Sequence, residues 1–166
     1  MPLEQYRRKR RFGVTPEPRG KPAPRKSSRA RKLAFVIQKH RATALHYDFR
    51  LEWKGVMLSW AVPRGPSLDP AEKRMAMPTE DHPIEYNKFE GVIPEGEYGG
   101  GTVMIWDAGR YVERGSKARA DSERAMRENF EKGHLTFVMA GRKLAGEFAL
   151  IRLEKDKTGK SWLLVK

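Results

Sequence analysis

With 166 residues, no cysteine and a formal net charge of +13, the chain excludes disulfide frameworks, thiolate metal sites and cysteine nucleophiles. No apolar run approaches the ~20 residues that a bilayer-crossing helix needs, and the positive N-terminus lacks the apolar core of a signal peptide. The expectation is a soluble, cytoplasmic protein of one domain, large enough to bury roughly two-thirds of its unfolded surface.

The charge is unevenly placed. Residues 1–32 carry 12 Lys and Arg against two acids, Glu4 and Glu17, whereas the rest of the chain carries 22 Lys and Arg against 19 Asp and Glu. The excess is a basic arm, 1–32, on a nearly balanced body, 33–166. Such an arm suits a polyanion, with nucleic acid the default partner and a solubilising tail the plainer reading. Pro16, Pro18, Pro22 and Pro24 stand among Arg, Lys, Gly and Ser. That composition buries too little apolar surface to offset ordering entropy, so alone the arm is expected to be extended or disordered. Glu4 to Phe12 is its one candidate for a short helical turn.

Order is predicted from Leu33, where Phe35-Val36-Ile37 starts a strand leading to Gln38, Lys39 and His40. After a turn at Arg41 to Ala44, Leu45-His-Tyr-Asp-Phe-Arg-Leu-Glu-Trp53 alternates apolar and polar side chains, the signature of a strand with two unlike faces. Lys54-Gly55 signals a hairpin, with Val56 to Val62 as the return strand, stopped by Pro63. Arg64 to Asp69 reads as loop, Lys73 to Met77 as strand, and Thr79 to Tyr86 as a loop. Gly91 to Gly101 leads into a strand at Thr102 to Trp106. A turn at Asp107-Ala108-Gly109 and another strand at Arg110 to Glu113 follow. A helix is predicted from an N-cap near Ser122 to Lys132 before Gly133, with Ala125, Met126 and Phe130 as its apolar stripe. Strands at Leu135 to Met139 and Gly146 to Leu153, a turn at Asp156 to Lys160, and a last strand at Ser161 to Val165 complete the chain. About eight short strands with few helices predict a mainly β fold, an antiparallel sheet closed into a barrel or sandwich.

The polar face of 45–53 is unusual because it is built of His46, Asp48, Arg50 and Glu52, not of Lys, Thr and Ser. Side chains two apart on a strand stand roughly 7 Å apart along it, so His46 and Asp48 can close on one ion, with His40 six residues upstream as a third ligand. Two His and one carboxylate suit manganese, zinc or ferrous iron, and a hard phosphate substrate favours the first two. Arg50 is either an ion-pair partner of Glu52 or a bidentate phosphate clamp. His82 and Tyr86 are either solvated loop residues or hydrogen-bond donors to phosphate, with His82 protonated or a general acid. Gly99-Gly100-Gly101 precedes a strand and is read as turn chemistry, not as a phosphate loop. The constellation points to metal-assisted phosphoryl chemistry.

Taken together, Tyr6-Arg-Arg-Lys-Arg-Arg-Phe-Gly-Val-Thr-Pro-Glu-Pro18, Phe35-Val-Ile-Gln-Lys-His40, Leu45-His-Tyr-Asp-Phe-Arg-Leu-Glu52, Glu80-Asp-His-Pro-Ile-Glu-Tyr86 and Phe89-Glu-Gly-Val-Ile-Pro-Glu-Gly-Glu-Tyr-Gly99 resemble the 3′-phosphoesterase module of prokaryotic DNA ligase D. The resemblance implies a barrel-like β fold with a metal-dependent site on one concave face. It also implies an enzyme of DNA repair by end joining that removes a 3′-terminal ribonucleoside and then the 3′-phosphate left behind. By the family pattern, His40, His46 and Asp48 would bind manganese, or zinc or another divalent metal. Arg50, His82 and Tyr86 would hold the scissile phosphate. Gln38, Arg74 and Glu80 match supporting positions, and Arg10 and Glu17 match functional positions in the arm. The implied partners are DNA or primer–template 3′ ends, RNA-tailed or phosphorylated, the ligase and polymerase modules of ligase D, and a Ku-type end-binding protein. The implied setting is a nucleoid-associated monomer in a prokaryotic cytoplasm. One position departs from the family: Arg11 stands where an acidic residue is usual. Two other classes compete with this reading. One is a nucleic-acid-binding module with a degenerate site, which would need neither His46 nor Asp48. The other is a β-barrel metal oxygenase, which leaves Arg50 and the polybasic arm unexplained.

Overall fold

In the computed structural model, which describes residues 3–21, 32–154 and 160–166, hydrophobic alternation closes on itself as a barrel. The strands are β1 (Leu33–Arg41), β2 (Leu45–Trp53), β3 (Val56–Val62), β4 (Arg74–Pro83), β5 (Gly91–Ile93), β6 (Gly101–Glu113), β7 (His134–Gly141), β8 (Ala145–Arg152) and β9 (Trp162–Val165). Two helices accompany them, α1 (Glu4–Arg8) and α2 (Arg119–Lys132). The order β1-β2-β3-β4-β9-β8-β7-β6, with β6 also pairing β1, makes a closed eight-stranded antiparallel barrel, and β5 is appended to β6. Closure removes the exposed edges that an open sheet would have to protect. Among the described residues no helix is long and apolar enough to cross a membrane. Residues 156–159 of the turn expected at Asp156 to Lys160, and residues 22–31 of the arm, lie outside the described residues.

The β1–β2–β3 register explains why one strand serves two purposes. Lys54 and Gly55 both have positive φ, 47° and 82°, the backbone of a two-residue hairpin turn. Counting back from that turn sets Arg50 opposite Ser59 and Asp48 opposite Ala61. Phe49 and Leu51 then join Phe35, Ile37 and Trp60 in the main apolar core. His46, Asp48 and Arg50 stand on the other face of the same strand. That second face is not left to water, for Asp48 and Arg50 are buried. Tyr6, Tyr86, Phe89, Ile93 and Val103 form a separate apolar cluster.

The arm supplies part of that cover, which its composition did not announce. Leu3 to Lys21 folds against the barrel, with Tyr6 fully buried and Thr15 and Glu17 nearly so. Tyr6 donates its hydroxyl to the Pro18 carbonyl, closing the arm on itself, and its ring meets His82 and Tyr86 at centroid distances of 5.0 and 5.9 Å. A few anchoring side chains replace the broad apolar stripe expected of an ordered segment.

Three local expectations are corrected. First, Thr79 to Pro83 is the end of β4 and not loop, followed by a 3-10 turn at Ile84–Lys88. Here Ser59 pairs with Thr79 but Met57 pairs with His82, so two residues, Glu80 and Asp81, oppose Leu58 alone. This bulge breaks the alternation that marks a strand in sequence. Second, Asp107-Ala108-Gly109 does not turn the chain; β6 runs through it with a register shift against β1. Asp107 instead accepts backbone N–H groups from Ala108, Arg142, Lys143 and Leu144 at 2.8–3.2 Å, clamping the β7–β8 turn. Third, α2 begins three residues before Ser122, after Ala118. Ser122 is buried inside the helix, where its hydroxyl accepts the Glu113 N–H at 3.1 Å. Of the predicted stripe, Met126 is buried, and Phe130 packs its ring 5.5 Å from that of Trp162.

Candidate active site

Antiparallel pairing of β1 with β2 places His40 opposite His46 and Gln38 opposite Asp48. Among the described residues, His40, His46 and Asp48 present one ligand atom each, all within 4.8 Å of one another. Each imidazole is fixed by a backbone carbonyl. Nε2 of His40 lies 2.6 Å from the Gly99 oxygen, and Nδ1 of His46 lies 3.1 Å from the Ala44 oxygen. With those nitrogens acting as donors, the other nitrogen of each ring is the one turned to Asp48, at 3.3 Å for His40 Nδ1 and 3.4 Å for His46 Nε2. Two nitrogen lone pairs facing one carboxylate need a cation or shared protons between them, and carbonyl-anchored imidazoles are a recurrent metal-ligand arrangement. The donor set therefore fits a divalent metal. With protons rather than a metal on the nitrogens facing it, burial pushes the Asp48 carboxyl up, but the Arg50 charge and the hydrogen bonds those protonated imidazoles donate outweigh it and hold the group well below the usual carboxylate range. The hydrogen bond to Asp48 raises His46 above the ordinary imidazole value, against its partial burial.

These three residues line one end of a cavity of about 280 Å³ that also takes in Arg50, His82, Tyr86, Glu80, Arg10 and Glu17. The guanidinium of Arg50 is held on three sides. Nε donates to Gln38 Oε1 at 2.8 Å, Nη1 donates to Ser59 Oγ at 2.9 Å, and Nη2 lies 3.6 Å from Asp48. Its fourth neighbour is the Tyr86 ring, 4.9 Å below. Gln38 in turn donates to the carbonyls of Tyr86 and Phe89 at 2.7 and 3.1 Å, tying the 3-10 turn to β1. Arg50 is not a partner of Glu52, which pairs with Arg119.

The β4 bulge brings Thr79, Glu80 and His82 to this cavity while Asp81 lines a separate apolar one with Trp53, Leu58 and Phe130. His82 Nδ1 lies 2.8 Å from the Glu80 carbonyl and so acts as donor, leaving Nε2 as an acceptor 3.4 Å from Arg10 Nη2. Burial, then the charges of Arg50 and Arg10, keep this imidazole neutral, well below its ordinary value. His82 is thus buried rather than solvated, with Nε2 turned into the cavity. Tyr86 donates its hydroxyl to Glu17 Oε2 at 2.7 Å, and burial pushes its pKa above the ordinary phenol value.

The arm closes the remaining side. Arg10 donates from Nε to Glu17 at 2.9 Å and from Nη1 to Glu80 at 3.0 Å, its side chain only 5% exposed. Thr15 donates to the other Glu17 oxygen at 2.9 Å. Arg11 pairs with Glu97 at 2.7 Å. Of the residues singled out in the sequence, Arg74 stands apart: it binds the Arg64 carbonyl at 2.9 Å and pairs with Glu72, outside the cavity lining. Ser59 and Thr15 are the buried polar partners that sequence reading missed. Ser59 was within reach, because the Lys54-Gly55 turn alone fixes it opposite Arg50.

The family model for the DNA ligase D 3′-phosphoesterase domain matches residues 38–152. The chain is 50% identical over 165 residues to the multifunctional non-homologous end joining protein LigD of Pseudomonas aeruginosa, a match covering 99% of this chain and 18% of that protein. It is 43% identical over 161 residues to the LigD of Mycolicibacterium smegmatis, covering 97% and 20%. To the multifunctional non-homologous end joining DNA repair protein LigD of Mycobacterium tuberculosis it is 41% identical over 157 residues, covering 93% and 19%. The chain spans about a fifth of the length of these relatives. The family match starts at Gln38 and takes in the imidazoles, Asp48, Arg50, His82 and Tyr86, and the relatives extend the likeness through the arm. This chain belongs to the DNA ligase D 3′-phosphoesterase domain family.

Proposed function

We propose that the chain is a metal-dependent phosphoesterase that trims DNA 3′ ends, removing a terminal ribonucleoside and then the 3′-phosphate, in repair by end joining. The observation that carries this reading is the pairing of two carbonyl-anchored imidazoles with Asp48, beside the buried and three-way-held Arg50. A binding module would need no such construction. The relatives' names, multifunctional end-joining proteins, support the setting. By the same reading its partners are DNA ends, the ligase and polymerase modules of a longer ligase D, and a Ku-type end-binding protein. It would act as a monomer in the prokaryotic cytoplasm.

His40, His46 and Asp48 would hold the metal. Manganese suits two imidazoles, one carboxylate and a phosphate oxygen, with zinc the alternative. A bound divalent ion supplies charge neutralisation on the phosphate and a water of lowered pKa. Arg50, locked by Gln38 and Ser59, places guanidinium donors where negative charge grows on the phosphoryl oxygens. Arg10 brings a second guanidinium to the same cavity. His82 offers Nε2 as a proton acceptor to the reacting group, since Nδ1–H is committed to Glu80. Tyr86 keeps Arg50 in plane by stacking and binds the arm through Glu17.

The reading is tested with two labelled primer–templates, one ending in a single ribonucleotide and one in a 3′-phosphate. Each is incubated with manganese, zinc, magnesium or EDTA, and the products are resolved. Shortening of the first and dephosphorylation of the second, both blocked by EDTA, are expected. Activity that survives EDTA would contradict the metal, and no turnover of either substrate would contradict the function.

A further inference from the structure

A groove of about 470 Å³ opens beside the imidazole pair, sharing Ala42, Ile93 and Gly99 with the main cavity. It runs between the β1–β2 turn, Arg41 to Thr43, and the Gly-rich segment before β6. Its wall is built of backbone. A side chain at Gly101 would stand 2.0 Å from the Arg41 carbonyl, and one at Gly100 would stand 3.0 Å from the Pro94 carbonyl. The Gly99 carbonyl, which anchors His40, forms the step between groove and cavity. The arm residues Arg10 and Glu17 line the cavity but not the groove.

The two sides differ in charge. The arm carries Arg7, Arg8 and Arg19 besides Lys9 and Arg10, which pair with Glu80 and Glu17, whereas the groove sets Glu95 against Arg41 and Glu97 against Arg11 and so holds no excess of cations. A strand end has the matching asymmetry. Phosphates continue on the 5′ side of the scissile phosphate and attract cations, while the terminal nucleoside beyond it carries none. We propose that this groove receives the departing 3′-terminal nucleoside, so that the strand enters past the basic arm with its terminus pointing to Glu95 and Thr43. This inference rests on the diester-cleaving half of the proposed function. In that step water's oxygen bonds to phosphorus and the bond from phosphorus to the nucleoside O5′ breaks. The proton passes to O5′, leaving a 3′-phosphate on the strand and a free nucleoside in the groove. The volume accommodates a nucleoside and falls in the usual range of small-molecule sites. Backbone groups and carboxylates suit sugar hydroxyls and base edges, and a groove without excess cations offers a further phosphate no counter-charge.

The test uses a property of the second substrate: a 3′-phosphate end has nothing beyond the phosphate to fill the groove. Thr43→Trp and Glu95→Trp, both exposed positions on opposite walls, each narrow the groove without touching the imidazoles. The ratio of diester to monoester kcat/KM should fall by about tenfold or more in both variants, with circular dichroism matching wild type. A parallel fall on both substrates, or an unaltered ratio in both variants, overturns the groove assignment while leaving the enzyme reading intact. A wild-type chain that turns over neither substrate overturns both.

Discussion

Ser59 and Arg50 face each other across β2 and β3, and the Ser59 hydroxyl accepts the Arg50 Nη1–H at 2.9 Å while donating to the Met57 carbonyl at 3.1 Å. Together with Gln38 on Nε, this fixes the guanidinium plane before any substrate arrives. Ser59→Ala leaves a buried guanidinium N–H without its acceptor, at a cost of about 1–3 kcal/mol in stability. It also frees the head group to swing, for which a loss of about 100-fold in saturated turnover is expected. Steady-state kinetics beside thermal melts check this, since a packing role alone would lower the melting temperature and leave turnover within about twofold of wild type.

The arm forms a wall of the cavity through Arg10 and Glu17, so its loss should reach the chemistry and not only affinity. Deleting residues 1–21 strips Tyr86 of its carboxylate acceptor and Glu80 of its guanidinium. Turnover at saturating substrate should fall, as it should in Arg10→Gln and Glu17→Gln, which keep nearly all of the arm's charge. Deletion alone should also flatten the salt dependence of DNA binding, because fewer counterions are released. If saturated turnover holds in both point variants and only KM rises in the deletion, the arm is a tether.

Asp81 carries a pH-dependent cost. Burial, and secondarily the Glu80 charge, raise its carboxyl to about 6, against an unfolded value near 3.9. Between those values the folded chain binds more protons than the unfolded one. The protonated group's advantage is therefore complete below about pH 4 and lost as pH rises through about 6. Asp81→Asn should thus stabilise the protein by about 1–2 kcal/mol above pH 7, after allowance for partial exposure, with the gain vanishing below about pH 4. Denaturation midpoints across that range decide it, and a gain independent of pH would show that ionisation is not its source.

What could be read from the chain depended on whether neighbours in sequence were neighbours in function. The polar face of 45–53 was legible because one strand carries three of its residues at a spacing of two. The hairpin turn at Lys54-Gly55 made the Arg50–Ser59 pair countable. The bulge at Glu80 and Asp81 was not legible, since two residues opposing one erase the period that marks a strand. Asp107 misled because its turn chemistry serves another turn, that of 142–144, through long-range hydrogen bonds. Ser122 misled in the same way, offering its hydroxyl to Glu113 rather than to its own helix end. The arm's order hangs on Tyr6, Arg10 and Glu17, whose partners are distant in sequence and which no composition average weighs.

Metal binding by His40, His46 and Asp48 is the claim on which the rest depends, and electron paramagnetic resonance titration with manganese measures it without reference to activity. One bound ion per wild-type chain is expected, with affinity reduced by about 100-fold or more in each of His40→Ala, His46→Ala and Asp48→Ala, while thermal unfolding shows that each variant folds. Wild-type manganese affinity retained in any two of the three would contradict shared ligation.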